Sequence, residues 1–181
     1  IVVSLDAKGS VKVTVIDEGQ MFLEGGKTDV ISQTLRSLPP EAVLGKAQTK
    51  NTDRWALGCT IFEMLTGKSF VLSERVGNAG FIEVMGSVLD TYQAYFGKIP
   101  QEMLRSFPED LVKIFYDELD GEYVLKKEHN TSKDCVFEED LLDGAAEGLF
   151  PEEDAEKWDK ILHDLFTSDK PLEAIMRSIY S

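Results

Sequence analysis

The feature that most constrains the fold of this chain is a helix-forming segment that is apolar on almost every side. It runs from Asp53 to Gly67, and its apolar residues are Trp55, Leu57, Cys59, Ile61, Phe62, Met64 and Leu65. Thr52 or Asp53 supplies a capping side chain at its start, and Gly67 fits the position just past its end. A helix that is apolar nearly all round is a buried one. The segment therefore predicts a central helix inside a mainly α-helical domain.

An alternating segment precedes this helix at the N-terminus. Residues 1–5 are mostly apolar, and over 11–16 Val11, Val13 and Val15 alternate with Lys12 and Thr14, which is the period of a β-strand. Between them, Asp6 to Gly9 supply a turn with a glycine for a positive φ angle. We expect a β-hairpin here.

Helical spacing and proline positions predict further helices after the central one. Residues 81–96 carry one stripe, formed by Phe81, Ile82, Met85, Leu89, Tyr92 and Phe96. Pro100 and Pro108 each fit the first turn of a helix, so we predict helices near 100–106 and 108–119.

The C-terminal part continues in the same way. Pro151 opens a helix whose buried stripe is Trp158, Ile161, Leu162, Leu165 and Phe166, and Pro171 opens a last helix. Residues 122–136 are expected to form a loop or a short ribbon. The acidic segment 138–156 is expected to be a solvated connection, with recognition of Arg-rich peptides as the alternative.

Composition narrows the classes of function. Nineteen Lys and Arg against 33 Asp and Glu give a net charge of −14, which argues against non-specific nucleic-acid binding. No apolar run is long enough to span a membrane. Cys59 and Cys135 lie far apart without a CxxC pattern, which favours two free thiols in a reducing compartment and gives no zinc site. We expect an intracellular protein, cytoplasmic or nuclear.

Three short motifs occur in a fixed order. Asp17-Glu18-Gly19 follows the second predicted strand, Pro40 comes 23 residues after Asp17, and Asp53 begins an Asp-x-Trp-x-x-Gly run 12 residues after Glu41. An Asp-x-Gly by itself is a common turn signal. The order and spacing of the three carry the information.

This set resembles the signatures of eukaryotic-type serine/threonine protein kinases: the Asp-Phe-Gly magnesium loop, the Ala-Pro-Glu motif and the start of the central helix. Residues 11–16 resemble the strand before the magnesium loop, and residues 59–70 resemble the stretch after the glycine. The run 16–23 looks most like the SR-protein-kinase-like branch found in filamentous fungi. The resemblance is dense over residues 1–70 and weak beyond 107.

The resemblance implies a domain layout. Residues 1–181 would be part of a kinase C-terminal lobe, after the catalytic loop. The hairpin would occupy 1–16, the magnesium loop and activation segment 17–41, the central helix 53–67, and a helical subdomain 79–181.

The resemblance also implies roles for single residues. Asp17 would bind the metal of Mg-ATP, and Asp53 would cap backbone amides of the catalytic loop. The structural motif residues would be Glu18, Gly19, Pro40, Glu41, Asp53, Trp55 and Gly58. Candidate phosphorylation sites in the activation segment are Thr28, Ser32, Thr34 and Ser37.

Several positions depart from the family pattern. Glu18 stands where a Phe is usual, and a carboxylate there is costly to bury without a partner. Leu38 stands near the place of a usual Arg. In the family the residue matching Glu41 pairs with a late Arg, but residues 168–172 contain none, which leaves Lys170 or Arg177 as substitutes.

No Gly-rich loop, ATP-binding lysine or catalytic loop occurs in these residues, so no catalytic residue is assigned. We expect an intact relative to use Mg and ATP on a protein substrate, and this chain alone to be incompetent and to bind neither. The alternative is a pseudokinase-derived scaffold that binds a protein partner, possibly an Arg-rich one. A generic acidic helical protein with chance motif matches is the third reading.

Overall fold

The structure is a computed structural model. It describes residues 2–6, 8–14, 16, 34–47, 49–71, 80–130, 135–167 and 174–175. The chain divides into two compact units, Ile1–Ser32 and Gln33–Ser181. The predicted mainly α-helical class is confirmed.

The first unit contains the predicted β-hairpin. Strand β1 (Val2–Leu5) pairs antiparallel with β2 (Val11–Thr14), with Val3 opposite Val13 and Leu5 opposite Val11. The Asp6 carboxylate fixes the turn, because its Oδ1 accepts hydrogen bonds from the backbone N–H groups of Lys8 and Ser10. Gly9 has the expected positive φ, +80°.

The second unit is built from helices and one more hairpin. Its elements are α1 (Pro40–Val43), α2 (Lys50–Thr66), α3 (Phe81–Phe96), α4 (Gln101–Leu104), α5 (Glu109–Phe115), β3 (Tyr116–Leu119), β4 (Glu122–Leu125), α6 (Phe137–Ala146) and α7 (Ala155–Thr167). Short 3₁₀ turns precede α1 at Leu35–Ser37 and α7 at Glu152–Asp154. None of the helices in the described part of the chain has the length and apolar composition needed to cross a bilayer.

Helix α2 is the predicted central helix, but it begins earlier than the sequence suggested. Thr49 is the cap, not Thr52 or Asp53: its hydroxyl accepts from the backbone N–H of Asn51 at 3.2 Å. The Thr52 hydroxyl accepts in return from the Thr49 N–H at 3.0 Å. This reciprocal pair satisfies two amides that a helix start leaves open, so the helix gains its first turn. Gly67 ends the helix with a φ of +68°, as predicted.

Aromatic side chains pack along one side of α2. We call them the aromatic cluster; its members are Trp55, Phe62, Phe70, Tyr95, Phe96, Phe137 and Phe166. The Phe70 ring stacks on Phe166 with 4.4 Å between centroids. Helices α6 and α7 pack on α2 over this cluster. The expectation that α2 is buried on all sides is too strong, because Met64 on its outer side is 70% exposed.

Two glycines allow these helices to approach each other. A Cβ on Gly144 of α6 would collide with the backbone of Leu65 in α2, and one on Gly58 would come within 2.8 Å of the Phe166 ring. Both positions therefore need a residue without a side chain for the observed packing.

The segment after α5 corrects the sequence prediction. The helix predicted to reach 119 ends at Phe115, because Tyr116–Leu119 pairs with Glu122–Leu125 as a second hairpin. Asp120 and Gly121 form its turn with φ angles of +52° and +82°. The short ribbon expected within 122–136 is thus strand β4 of this hairpin.

Three other expectations change in detail. Helix α3 has the predicted bounds, but Phe81 and Ile82 in its first turn are about half exposed rather than buried. The acidic segment is not a connection: its first part is helix α6, which buries Phe137 and Leu141. In α7 the predicted stripe is buried except for Trp158, which is half-buried. Most of the helix predicted after Pro171 lies outside the described residues.

Candidate functional site

The Pro-Glu motif forms the first turn of α1. Pro39 precedes the helix in an extended conformation, and Pro40 occupies its first position, where a missing N–H costs nothing. Pro40 is buried and Glu41 is partly buried. Burial raises the pKa of the Glu41 carboxyl, while its own backbone N–H and the charge of Lys46 partly offset this effect.

Glu41 lies in the wall of a cavity of about 390 Å³. We call it the Glu41 cavity. Its walls come from α1, the start of α2, α3, α4 and the end of α7, and its aromatic lining residues are Trp55, Tyr92, Phe107 and Phe166. Its charged lining residues are Glu41, Lys46 and Arg54. Thr49, Asn51 and Thr167 add polar groups to the lining, and the volume lies in the range of sites that hold small ligands.

Trp55 and Gly58, the other motif positions on α2, have structural roles. The indole of Trp55 meets the Phe166 ring edge-on at 4.7 Å, and Gly58 lies directly beneath the same ring. The spacing of three brings both residues to one side of the helix. The packing of α7 on α2 therefore explains why this pattern has a Trp at position 55 and a Gly at position 58.

Asp53 is exposed in the first turn of α2, where a negative charge favours the helix dipole. Its proposed contact with a catalytic loop stays a prediction.

Two of the candidate phosphorylation sites, Thr34 and Ser37, lie in the described part of the chain. Thr34 is exposed, and its backbone carbonyl accepts from the Ser37 N–H and, at 3.4 Å, from the Ser37 hydroxyl. Their phosphorylation stays a prediction too.

The remaining candidate residues lie outside the described residues. These are Asp17, Glu18 and Gly19 of the magnesium-loop motif, the hydroxyls Thr28 and Ser32, and the two basic residues Lys170 and Arg177. The described part of the chain contains no group of three or more His, Cys, Asp or Glu side chains arranged to hold a metal ion. The metal-binding role of Asp17 therefore stays a prediction.

Two features of the cavity lining were not predicted from the sequence, one contact and one buried charge. The Lys46 ammonium lies 4.5 Å from the centroid of the Phe107 ring, a cation–π contact. Arg54, on the first turns of α2, is only 9% exposed. A lysine 61 positions from a phenylalanine gives no local signal, but an arginine inside an apolar helix pattern does suggest a special environment.

Two residues of the acidic segment 138–156 make contacts that hold α6 against the rest of the second unit. The Lys68 ammonium pairs with Asp140 at 3.2 Å and with Asp143 at 3.0 Å, and the Tyr95 hydroxyl donates to Asp140 at 2.5 Å. Burial, together with this hydrogen bond, raises the pKa of Tyr95. Glu138 and Glu139 remain exposed on the same helix.

Part of the chain is similar to known serine/threonine protein kinases. It is 33% identical over 71 residues to "Serine/threonine-protein kinase AtPK1/AtPK6" of Arabidopsis thaliana, which covers 39% of this chain and 15% of that protein. It is 43% identical over 53 residues to "Serine/threonine-protein kinase YPK2/YKR2" of Saccharomyces cerevisiae, or 29% of this chain and 8% of that protein. It is 32% identical over 71 residues to "Ribosomal protein S6 kinase-related protein" of Homo sapiens, which covers 39% of this chain and 17% of that protein.

These similarities are local. The matched segment spans less than a fifth of the length of each of these relatives. No family model matches the chain. The comparisons support a kinase-related chain and leave the SR-protein-kinase-like branch as a prediction.

Proposed function

We propose that this chain forms part of the helical lobe of a serine/threonine protein kinase, which transfers a phosphoryl group from ATP to protein Ser or Thr. The observation that carries the proposal is the ordered set of Asp17, Pro40-Glu41 and Asp53 to Gly58, together with the local similarity to serine/threonine kinases. The packing of α1 and α2 supports it, since the motif residues on these helices are held in defined positions.

Phosphoryl transfer requires that the negative charge of the γ-phosphate be positioned and neutralised, mainly by Mg²⁺. Asp17 is the carboxylate of this chain that would hold the metal. The Gly-rich loop, the ATP lysine and the catalytic loop do not occur in these residues, so the chain alone would not be competent.

Calorimetry on the longest natural form of the protein tests this proposal. We expect Mg-ATP to bind, and Asp17→Asn to weaken that binding in Mg²⁺ by roughly tenfold or more, because a metal ligand is lost. Asp110→Asn, a matched change on an exposed carboxylate of α5, is the control and should leave Mg-ATP affinity unchanged. Absence of Mg-ATP binding to the wild-type protein would rule out the proposal that the protein is a kinase.

A pseudokinase-derived scaffold is the second candidate. Glu18 and Leu38 favour it, since both replace residues that the active family pattern uses, and so does the lack of an Arg at 168–172. In that case the partner would bind a lobe that has lost its catalytic task. The exposed acids of α6 suggest an Arg-rich segment as that partner.

Titration with a peptide of alternating Arg and Ser tests the scaffold and the SR-protein-kinase-like branch together. We expect Glu138→Lys with Glu139→Lys to weaken binding several-fold, since both carboxylates are exposed in the first turn of α6. Asp140 is left intact because it holds Lys68 and Tyr95. Asp117→Lys with Glu118→Lys, two exposed acids on β3 outside the acidic segment, is the matched control. Equal binding by all three proteins would exclude α6 as the docking surface.

A further inference from the structure

The lining of the Glu41 cavity contains a buried hydrogen-bond donor. Trp55 lines the cavity and is only 4% exposed, and its indole is held by Tyr92, which stacks on it, and by Phe166, which meets it edge-on. In the described part of the chain, no acceptor lies within hydrogen-bond distance of its Nε1–H group. Buried N–H groups of native proteins are almost always paired. An acceptor supplied from outside the chain, by water or by a ligand, would satisfy this one.

The size and composition of the cavity favour a ligand over water. Its volume of about 390 Å³ is far more than one water molecule needs. Beside the aromatic rings, much of its wall is aliphatic, from Leu44, Ile99, Met103 and Leu165. Water molecules against such a wall find few hydrogen-bond partners, whereas the apolar body of a ligand would contact these side chains. The cavity therefore suits a molecule with an apolar body and an acceptor group.

The charged side chains in the lining favour a negative acceptor. Two basic residues, Lys46 and Arg54, line the cavity together with one acidic residue, Glu41. The exposed Lys46 places its ammonium 4.5 Å from the centroid of Phe107, which is itself a lining residue. A carboxylate is a stronger partner for an ammonium than an aromatic ring is. Arg54 already makes an interaction of its own, so it is not needed as a hydrogen-bond donor to the ligand.

We propose that the Glu41 cavity binds a small carboxylic acid in its ionised form, with an aryl or short alkyl body. The carboxylate accepts a hydrogen bond from the Trp55 Nε1–H and pairs with the Lys46 ammonium, while the body lies against the apolar wall. The flexible stem of Lys46 lets its ammonium follow the carboxylate. Glu41 is the opposing charge and limits the affinity. This binding does not depend on phosphoryl transfer.

The indole N–H proton of Trp55 reports such binding directly in an NMR titration of the full chain. The chain has two tryptophans, so Trp158→Phe assigns the Trp55 resonance by elimination. The probes 3-phenylpropanoate, 3-phenylpropanamide and 3-phenylpropylamine share one body and carry a negative, a neutral and a positive head; octanoate supplies an alkyl body. We expect the carboxylates to move the Trp55 proton downfield and saturably, with a Kd of about 0.1 to 1 mM as befits ligands of few atoms. The amide should bind at least about fivefold more weakly than 3-phenylpropanoate, and the amine more weakly still.

Three substitutions separate the charge from the donor. Lys46→Met should weaken binding of 3-phenylpropanoate by roughly threefold, because an exposed ion pair contributes little. Lys127→Met, at an exposed lysine that does not line the cavity, is the matched control and should leave the Kd unchanged. Trp55→Phe, provided that circular dichroism shows it folded, should weaken binding by about tenfold because the donor is lost. The indole shift in the wild-type protein depends on none of these variants.

Equal binding of 3-phenylpropanoate and its amide would contradict the proposal, since charge would then not be recognised. Tightest binding by the amine would indicate a cation site instead. Saturable binding that leaves the Trp55 proton unmoved would place the ligand elsewhere. Absence of a saturable change with both carboxylates, or an equal Kd in Lys46→Met and Lys127→Met, would also refute it.

Discussion

Hairpin β1–β2 and the aromatic cluster on α2 are both rich in apolar residues, yet they expose them to very different degrees. Leu5 is 71% exposed and Val11 opposite it is 66% exposed, whereas Phe62 and Phe70 are each 1% exposed. The hairpin is ordered by backbone pairing and by the Asp6 turn. The cluster is ordered by side-chain packing between helices. We infer that the folding free energy of the chain is concentrated in the cluster, because stability follows buried apolar area.

The largest expected effect is at the centre of the cluster. Phe70→Ala removes a ring that contacts five other aromatic rings, and we expect it to lower the free energy of unfolding by about 3–5 kcal/mol. Urea denaturation followed by circular dichroism measures this. Met64→Ala, on the exposed side of α2, is the control and should cost less than about 1 kcal/mol. Equal losses would show that the cluster is not the core.

The next effect concerns how closely α6 approaches α2. Alanine normally favours a helix over glycine by about 1 kcal/mol, but Gly144→Ala should destabilise by about 2–3 kcal/mol because its Cβ meets the Leu65 backbone. Thermal unfolding measures the change. Ala146→Gly, at the exposed end of the same helix, gives the propensity effect alone. A Gly144→Ala protein that is more stable than wild type would contradict the close approach.

A smaller effect is expected at the polar rim of the cluster. Lys68 is 44% exposed, so losing its pairs with Asp140 and Asp143 in Lys68→Met should cost only about 0.5–1 kcal/mol. The difference from wild type should shrink as salt rises from about 0.05 to about 1 M. Lys160→Met at an exposed position of α7 is the comparison. A loss that does not respond to salt would mean that Lys68 acts through packing.

The smallest effect is expected on the hairpin. Leu5→Thr changes an exposed strand residue to another good strand former, so unfolding should shift by less than about 0.5 kcal/mol. The same urea titration measures it. A loss above about 1 kcal/mol would show that this face of the hairpin is covered, and the contrast with the cluster would fail.

Much of the second unit follows from local patterns in the sequence. The stripe of α7, the end of α2 at Gly67 and the bounds of α3 are all set by spacing or by a capping residue. The β3–β4 hairpin was missed because apolar residues continue past Phe115 as they would in a helix. Asp120-Gly121 carried the missing signal, since this pair favours a two-residue hairpin turn.

The candidate site was harder to predict. Pro40, Glu41, Trp55 and Gly58 stand out in the sequence as motif positions, and the packing of Trp55 and Gly58 on Phe166 explains two of them. The cavity itself joins α1 to residues of α3, α4 and α7 that are far away in sequence. Such a site depends on tertiary packing, which no periodicity encodes.

Transfer of the γ-phosphate from ATP to Ser- and Thr-containing peptides, by the longest natural form in the presence of Mg²⁺, tests the kinase proposal most directly. We predict measurable transfer that Asp17→Asn lowers by roughly 100-fold or more, because the metal-binding carboxylate is lost. Transfer by the wild-type protein no greater than that by Asp17→Asn would contradict the proposal and favour the scaffold.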